Sequence, residues 1–187
     1  MNLFPTNDDK LLQLILHVTR LYQQRDTFNL AQLSSILFYA DFNHFKRVGF
    51  PITGQTYFKR LDCLAPHNML TYCQTLYKQE KIILSPGNAS SFFSEINIKY
   101  QSEPILKIFD GEEIALVDEI AYYFQKQNFI SPYSPFQIAG TELIHLNEEI
   151  PYYLALIEGK RFIPNEFEAK HAEQLKTLAH ESRVSVV

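Results

Sequence analysis

Asp41 and His44 have the spacing best suited to chemistry, because residues three apart in a helix lie one turn apart on the same face. A carboxylate beside an imidazole can move protons or hold a metal ion, and it can equally be a structural hydrogen bond. No third ligand or nucleophile stands near them in sequence. The six histidines are His17, His44, His67, His145, His171 and His180. None forms a zinc-protease pair, and none stands beside a cysteine at ligand spacing. Cys63 and Cys73 give neither a disulfide framework nor a metal-type pair. The six glycines never cluster, so no phosphate-cradling loop is expected, and no serine is flanked by glycines as in a hydrolase elbow. Asp8-Asp9, Glu112-Glu113 and Glu148-Glu149 read as first-turn partners of helix dipoles, since adjacent helical positions point apart. On these grounds the sequence singles out no catalytic constellation, and no cofactor or metal is expected. A hydrolase built on Asp41 and His44 is the enzymatic alternative.

Two basic pairs, Lys46-Arg47 and Lys59-Arg60, are interleaved with Phe45, Tyr57 and Phe58. Such a mixture can bind nucleic acid or line a protein interface. The charge balance argues against nucleic acid. Residues 103–168 carry 12 acidic and 4 basic side chains, and the whole chain has a net charge of -4. A surface of that sign repels phosphate backbones and can steer a basic partner.

The elements that would position these residues are mainly helical. Leu11, Ile15, Val18 and Tyr22 recur at helical spacing behind Asn7 and Asp8, predicting a helix over 7–24. A second helix is expected over 30–47, capped by Asn29 and apolar around so much of its circumference that it should be central. Gly49 and Pro51 end it, and residues 49–65 read as a turn and an extended segment. Pro66 suits the first turn of a helix over 66–79. Ile82–Leu84 and Ile96–Tyr100, separated by a Ser-Pro-Gly-Asn turn, predict a hairpin, with a further extended piece at 105–108. Helices are then expected over 110–126, 135–144, 148–157 (capped by Asn147) and 165–182. The expected fold is α+β and predominantly α-helical, a single compact domain with a small antiparallel β-hairpin insert at 81–108. No apolar run is long enough for a membrane span, and residues 1–10 lack the pattern of a signal peptide. A cytoplasmic location and no membrane partner are expected.

The stretch 33–57 also carries a family resemblance. Phe38, Tyr39, Ala40, Asp41, Phe42, His44, Phe45, Gly49, Pro51, Ile52, Thr53, Gly54 and Tyr57 resemble the central motif of the Panacea domain, also described as the SocA-like antitoxin domain. Ile150, Pro151, Tyr152, Leu154, Ala155 and Leu156 resemble the family's closing motif. The sequence departs from the family at 64–68, where a Tyr-Gly-Pro-x-Pro segment is replaced, and in having no Trp. The resemblance implies a Panacea-like domain over 1–160 followed by a C-terminal helical extension over 161–187. It implies an antitoxin of a toxin–antitoxin pair that neutralises a cognate toxin protein by direct binding, and a non-enzyme. Partner-binding residues are then expected at His44, Lys46, Thr53, Tyr57, Lys59, Tyr152 and Tyr153; the alternative is that the Thr53 hydroxyl satisfies turn backbone and that Tyr57, Tyr152 and Tyr153 pack in the core with tethered hydroxyls. The alternatives are a proteolytic adaptor, with a protease as second partner, and a DNA-binding regulator using Lys46, Arg47, Lys59 and Arg60. Self-association into a homo-oligomer is open.

Overall fold

Asn7 accepts a hydrogen bond from the Lys10 amide and starts α1, Asp8–Leu21, in the computed structural model, which describes residues 4–25, 27–87, 92–127 and 135–157. Leu11, Leu14, Ile15 and Val18 form its buried stripe. The second helix, α2 (Leu30–Val48), opens with a reciprocal cap. The Asn29 side chain accepts from the Gln32 amide at 2.9 Å, and the Asn29 amide donates to the Gln32 side chain at 3.1 Å. Its residues from Leu30 to Phe45 are buried on nearly every side, as its all-round apolar sequence predicts. Gly49 closes it in the left-handed region at φ 84°, with its amide on the Phe45 carbonyl.

The turn after α2 feeds β1 (Tyr57–Lys59), which pairs antiparallel with β2 (Leu64–Pro66) on one side. Pro66 lies opposite Tyr57 in this ladder and not in the first turn of a helix. The His67 amide extends the pairing to the Thr56 carbonyl, so α3 begins only at Met69 and runs to Lys78. The predicted hairpin is present as β3 (Ile82–Pro86) and β4 (Ile96–Tyr100), in the register Ile82 to Tyr100 and Leu84 to Ile98. It docks beside α2 through the Ile98 amide on the Phe28 carbonyl and a bridge between Asn29 and Asn97. Residues 106–108 form a 3₁₀ turn where an extended piece was expected. The helix expected at 110–126 is α4 (Gly111–Gln127), whose Leu116, Val117, Ile120, Ala121 and Phe124 pack in the same core as α2.

Two helix predictions fail for the same physical reason, a non-local backbone partner. In place of a helix at 135–144, the described residues 135–143 make turns and a 3₁₀ turn over Thr141–Leu143. The Phe136 carbonyl is taken by the Asn43 amide group of α2 at 2.9 Å. In place of a helix at 148–157, Glu149–Ile150 form β5 on the free edge of β1, followed by a 3₁₀ turn over Tyr152–Leu156. Asn147 caps nothing; it adopts φ 65°, which turns its amide onto the Lys59 carbonyl at 2.7 Å. The order β2-β1-β5 gives a three-stranded sheet beside the two-stranded hairpin. The fold is α+β with a helical majority, and among the described residues no helix is long and apolar enough to cross a membrane. The predicted helix at 165–182 and the extension at 161–187 lie outside the described residues.

Candidate functional site

Three of the residues singled out by sequence, Thr53, Tyr57 and Tyr152, converge on the side chain of Asp41, which is fully buried. Its Oδ1 accepts the Thr53 amide at 2.7 Å. Its Oδ2 accepts the Thr53 hydroxyl, the Tyr57 hydroxyl at 2.9 Å and the Tyr152 hydroxyl at 3.2 Å. Each phenol has a second acceptor in reach: Leu37 O at 3.1 Å for Tyr57 and Gln55 O at 2.8 Å for Tyr152. One phenolic hydrogen serves two acceptors. An ionised Asp41 can take both hydrogens. A protonated Asp41 can donate to a phenol oxygen while that phenol turns to its backbone carbonyl. The cluster is satisfied in either state, so it works as an internal knot. It ties α2 to the 49–57 turn, to β1 and to the 3₁₀ turn after β5. The rings of Phe42 and Tyr152 stack at 4.5 Å beside it.

Burial lifts the Asp41 carboxyl above its ordinary value of 3.8, against the pull of the hydrogen bonds from Thr53, Tyr57 and Tyr152. Burial and then the neighbouring Asp41 charge push the Tyr57 and Tyr152 phenols up, which keeps both as donors. The folded state therefore holds the Asp41 proton more tightly than the unfolded chain does. That stabilisation is fully present below about pH 3.8 and is lost as pH rises through the higher folded value, beyond which it is flat. Stability measured by urea unfolding, taken as wild type minus Asp41→Asn, is expected to fall with pH over that window. A difference that grows with pH would mean a carboxyl lowered by folding, contrary to this account.

Asp41 and His44 do not bond each other. The His44 ring is 8% exposed, and its Nδ1 lies 2.6 Å from the Phe50 carbonyl. Among the residues expected to touch a partner, Thr53, Tyr57 and Tyr152 are interior, and their hydroxyls are spent on the knot. Lys59 is half-buried, with Nζ on the carbonyls of Thr141 and Glu142. Only Lys46 and Tyr153 lie in the open. Three of the four residues of the basic footprint are engaged within the protein. Arg47 lies 3.6 Å from Glu119, Lys59 is on carbonyls, and Arg60 bonds Asn147 and lies over the Phe58 ring. Both cysteines are buried, and burial pushes the Cys73 thiol up to about 12, the opposite of an activated nucleophile.

Of the exposed apolar residues of the last described segment, sequence reasoning picked out Tyr153 and missed the others. Leu143 is 77% exposed, Tyr153 63% and Leu156 59%, with Leu146 and Ile157 also in the open. A 3₁₀ turn rather than an α-helix decides this outcome, because it sends Tyr152, Leu154 and Ala155 inward and leaves Tyr153 and Leu156 outside. Compared with known proteins, the chain matches no described family, no curated protein and no solved structure. The resemblance to Panacea domains thus rests on the two sequence blocks.

Proposed function

We propose that this protein is an antitoxin-like binding module that neutralises a toxin protein by covering part of its surface. The observation that carries this reading is the exposed group Leu143, Leu146, Tyr153, Leu156 and Ile157, set on a segment whose inward residues are fastened to the core. Large apolar side chains held in the open on an anchored backbone lose little conformational entropy on binding. They also supply the kind of anchor that dominates protein interfaces. The same segment exposes the acids Glu142, Glu148 and Glu149, which suit a partner carrying basic residues. This segment includes one of the two blocks that resemble the Panacea domain, which agrees with the same reading.

Two measurements test it. The tagged protein is expected to co-purify from its native cell with a stoichiometric small protein that is toxic when expressed alone. Tyr153→Ala combined with Leu156→Ala is then expected to weaken that complex by about 2 kcal/mol or more, roughly thirtyfold, while leaving the melting temperature of the free protein unchanged. Undiminished binding by the double variant would remove this surface from the interface. Recovery of the protein with no toxic companion would remove the antitoxin reading itself.

A further inference from the structure

A second site lies where the end of α2 meets the start of α4. A ring nitrogen of His44, a carboxylate oxygen of Asp110 and one of Glu113 all lie within 4.8 Å of one another. Ligands bound at about 2.0–2.2 Å around one ion stand roughly 3–4 Å apart, so small rotations bring these three onto a common centre. Asp110 and Glu113 are fixed by a reciprocal cap at the start of α4. The Glu113 amide donates to Asp110 Oδ1 at 2.8 Å, and the Asp110 amide donates to Glu113 Oε2 at 3.0 Å. Each carboxylate keeps lone pairs beyond those bonds.

His44 supplies an independent pointer to a cation. More than nine-tenths of the residue is buried, and its Nδ1 meets a backbone carbonyl, which can only accept. The proton therefore sits on Nδ1 when the ring is neutral, and the Nε2 lone pair points elsewhere with no hydrogen bond among the described residues. A carbonyl-fixed imidazole with a free second nitrogen is the arrangement of a metal-ligating histidine. Asp110 is exposed, so the cluster is open to solvent on that side.

We infer that His44, Asp110 and Glu113 form a binding site for a divalent first-row transition metal such as Zn²⁺, with water completing the coordination. One imidazole and two carboxylates suit such an ion better than a soft or purely oxygen-seeking one. The Lys10 ammonium, 2.5 Å from Glu113 Oε1, is the cation that balances the site without metal, its charge also lying 5.5 Å from the centre of the Phe109 ring. Metal binding displaces it. The other charges about the site are Glu112 and Glu119 on α4 and Arg47 on α2, the last held to Glu119. The ion clamps the end of α2 to the start of α4.

The test is calorimetric titration of the chelator-treated full chain with ZnCl₂. One ion per chain is expected, with a rise in melting temperature. Asp110→Asn keeps the cap, because its amide oxygen still accepts the Glu113 amide, and is expected to weaken zinc binding by about tenfold or more. His44→Gln is expected to do the same. Lys10→Met removes the competing cation and is expected to tighten binding several-fold, the opposite sign to the ligand variants. Absence of saturable one-to-one binding would overturn the site. Zinc binding left unchanged by both Asp110→Asn and His44→Gln would place the ion elsewhere and overturn it equally.

Discussion

Asp41→Ala is expected to destabilise the fold by about 3–5 kcal/mol, a large part of the stability of an ordinary domain. The cost divides unevenly among the partners. Tyr57 and Tyr152 keep backbone acceptors at Leu37 and Gln55 and are not orphaned. The Thr53 amide is different, because it donates to the carboxylate and Thr53 is itself buried. A buried unsatisfied donor costs about 1–3 kcal/mol, and the cavity left by the carboxyl group adds to it. Asp41→Asn should be milder, about 1–2 kcal/mol, since its carbonyl oxygen still accepts the Thr53 amide while its NH₂ faces hydroxyls that can turn to accept. Urea unfolding followed by circular dichroism measures both. A cost below about 1 kcal/mol for the alanine variant would mean that the knot is open to water. In that event Asp41 would again be available for acid–base chemistry with solvent.

The parts of the fold that were legible in the sequence are those governed by local rules. Helices α1, α2 and α4 follow from apolar spacing behind Asn7, Asn29 and Asp110. The hairpin follows from alternation around a Pro-Gly turn. The segment from 135 to 157 was misread because its structure is set by residues far away in sequence. The β1 edge recruits Glu149 and Ile150, and Asn43 captures the Phe136 carbonyl. A Pro–Tyr–Tyr–Leu–Ala–Leu run has good helical character, and nothing within it announces a strand partner ninety residues earlier. The candidate site shows the same division. Thr53, Tyr57 and Tyr152 stand out in the sequence either as partner contacts or as interior residues with tethered hydroxyls, and the second is what the fold shows. Because α2 is apolar all round, its sequence does not say whether Asp41 looks out to solvent or in to these hydroxyls. The meeting of His44 with Asp110 and Glu113 depends on the packing of α2 against α4, which no motif encodes.

The two glycines of the 49–54 turn should respond very differently to alanine, although both have positive φ. At Gly49, φ is 84° and nothing lies within 4 Å of an added Cβ. Gly49→Ala is therefore charged only with the left-handed backbone, about 1–2 kcal/mol. At Gly54, φ is 67° and the Cβ would stand 2.4 Å from the Pro5 carbonyl oxygen and 3.2 Å from its carbon. Backbone cannot swing aside as the end of a side chain can, so either the turn or the 4–7 segment must move. Movement of 4–7 breaks the Asn7 amide bond to the Thr53 carbonyl and pulls Phe4 from its ring contacts with Phe45 and Tyr152, at 5.3 and 5.5 Å. Movement of the turn instead drags Thr53 from Asp41. Either route adds the loss of a hydrogen bond and of packing to the backbone clash, so Gly54→Ala is expected to cost at least about 3 kcal/mol. Hydrogen exchange separates the routes. Early exchange confined to the Asn7 amide means that the 4–7 segment has lifted, whereas early exchange at the Thr53 amide means that the knot has opened. Equal costs at Gly49 and Gly54 would contradict the close approach of Pro5, and with it the role of the 4–7 segment as a strap holding the Asp41–Thr53 contact closed.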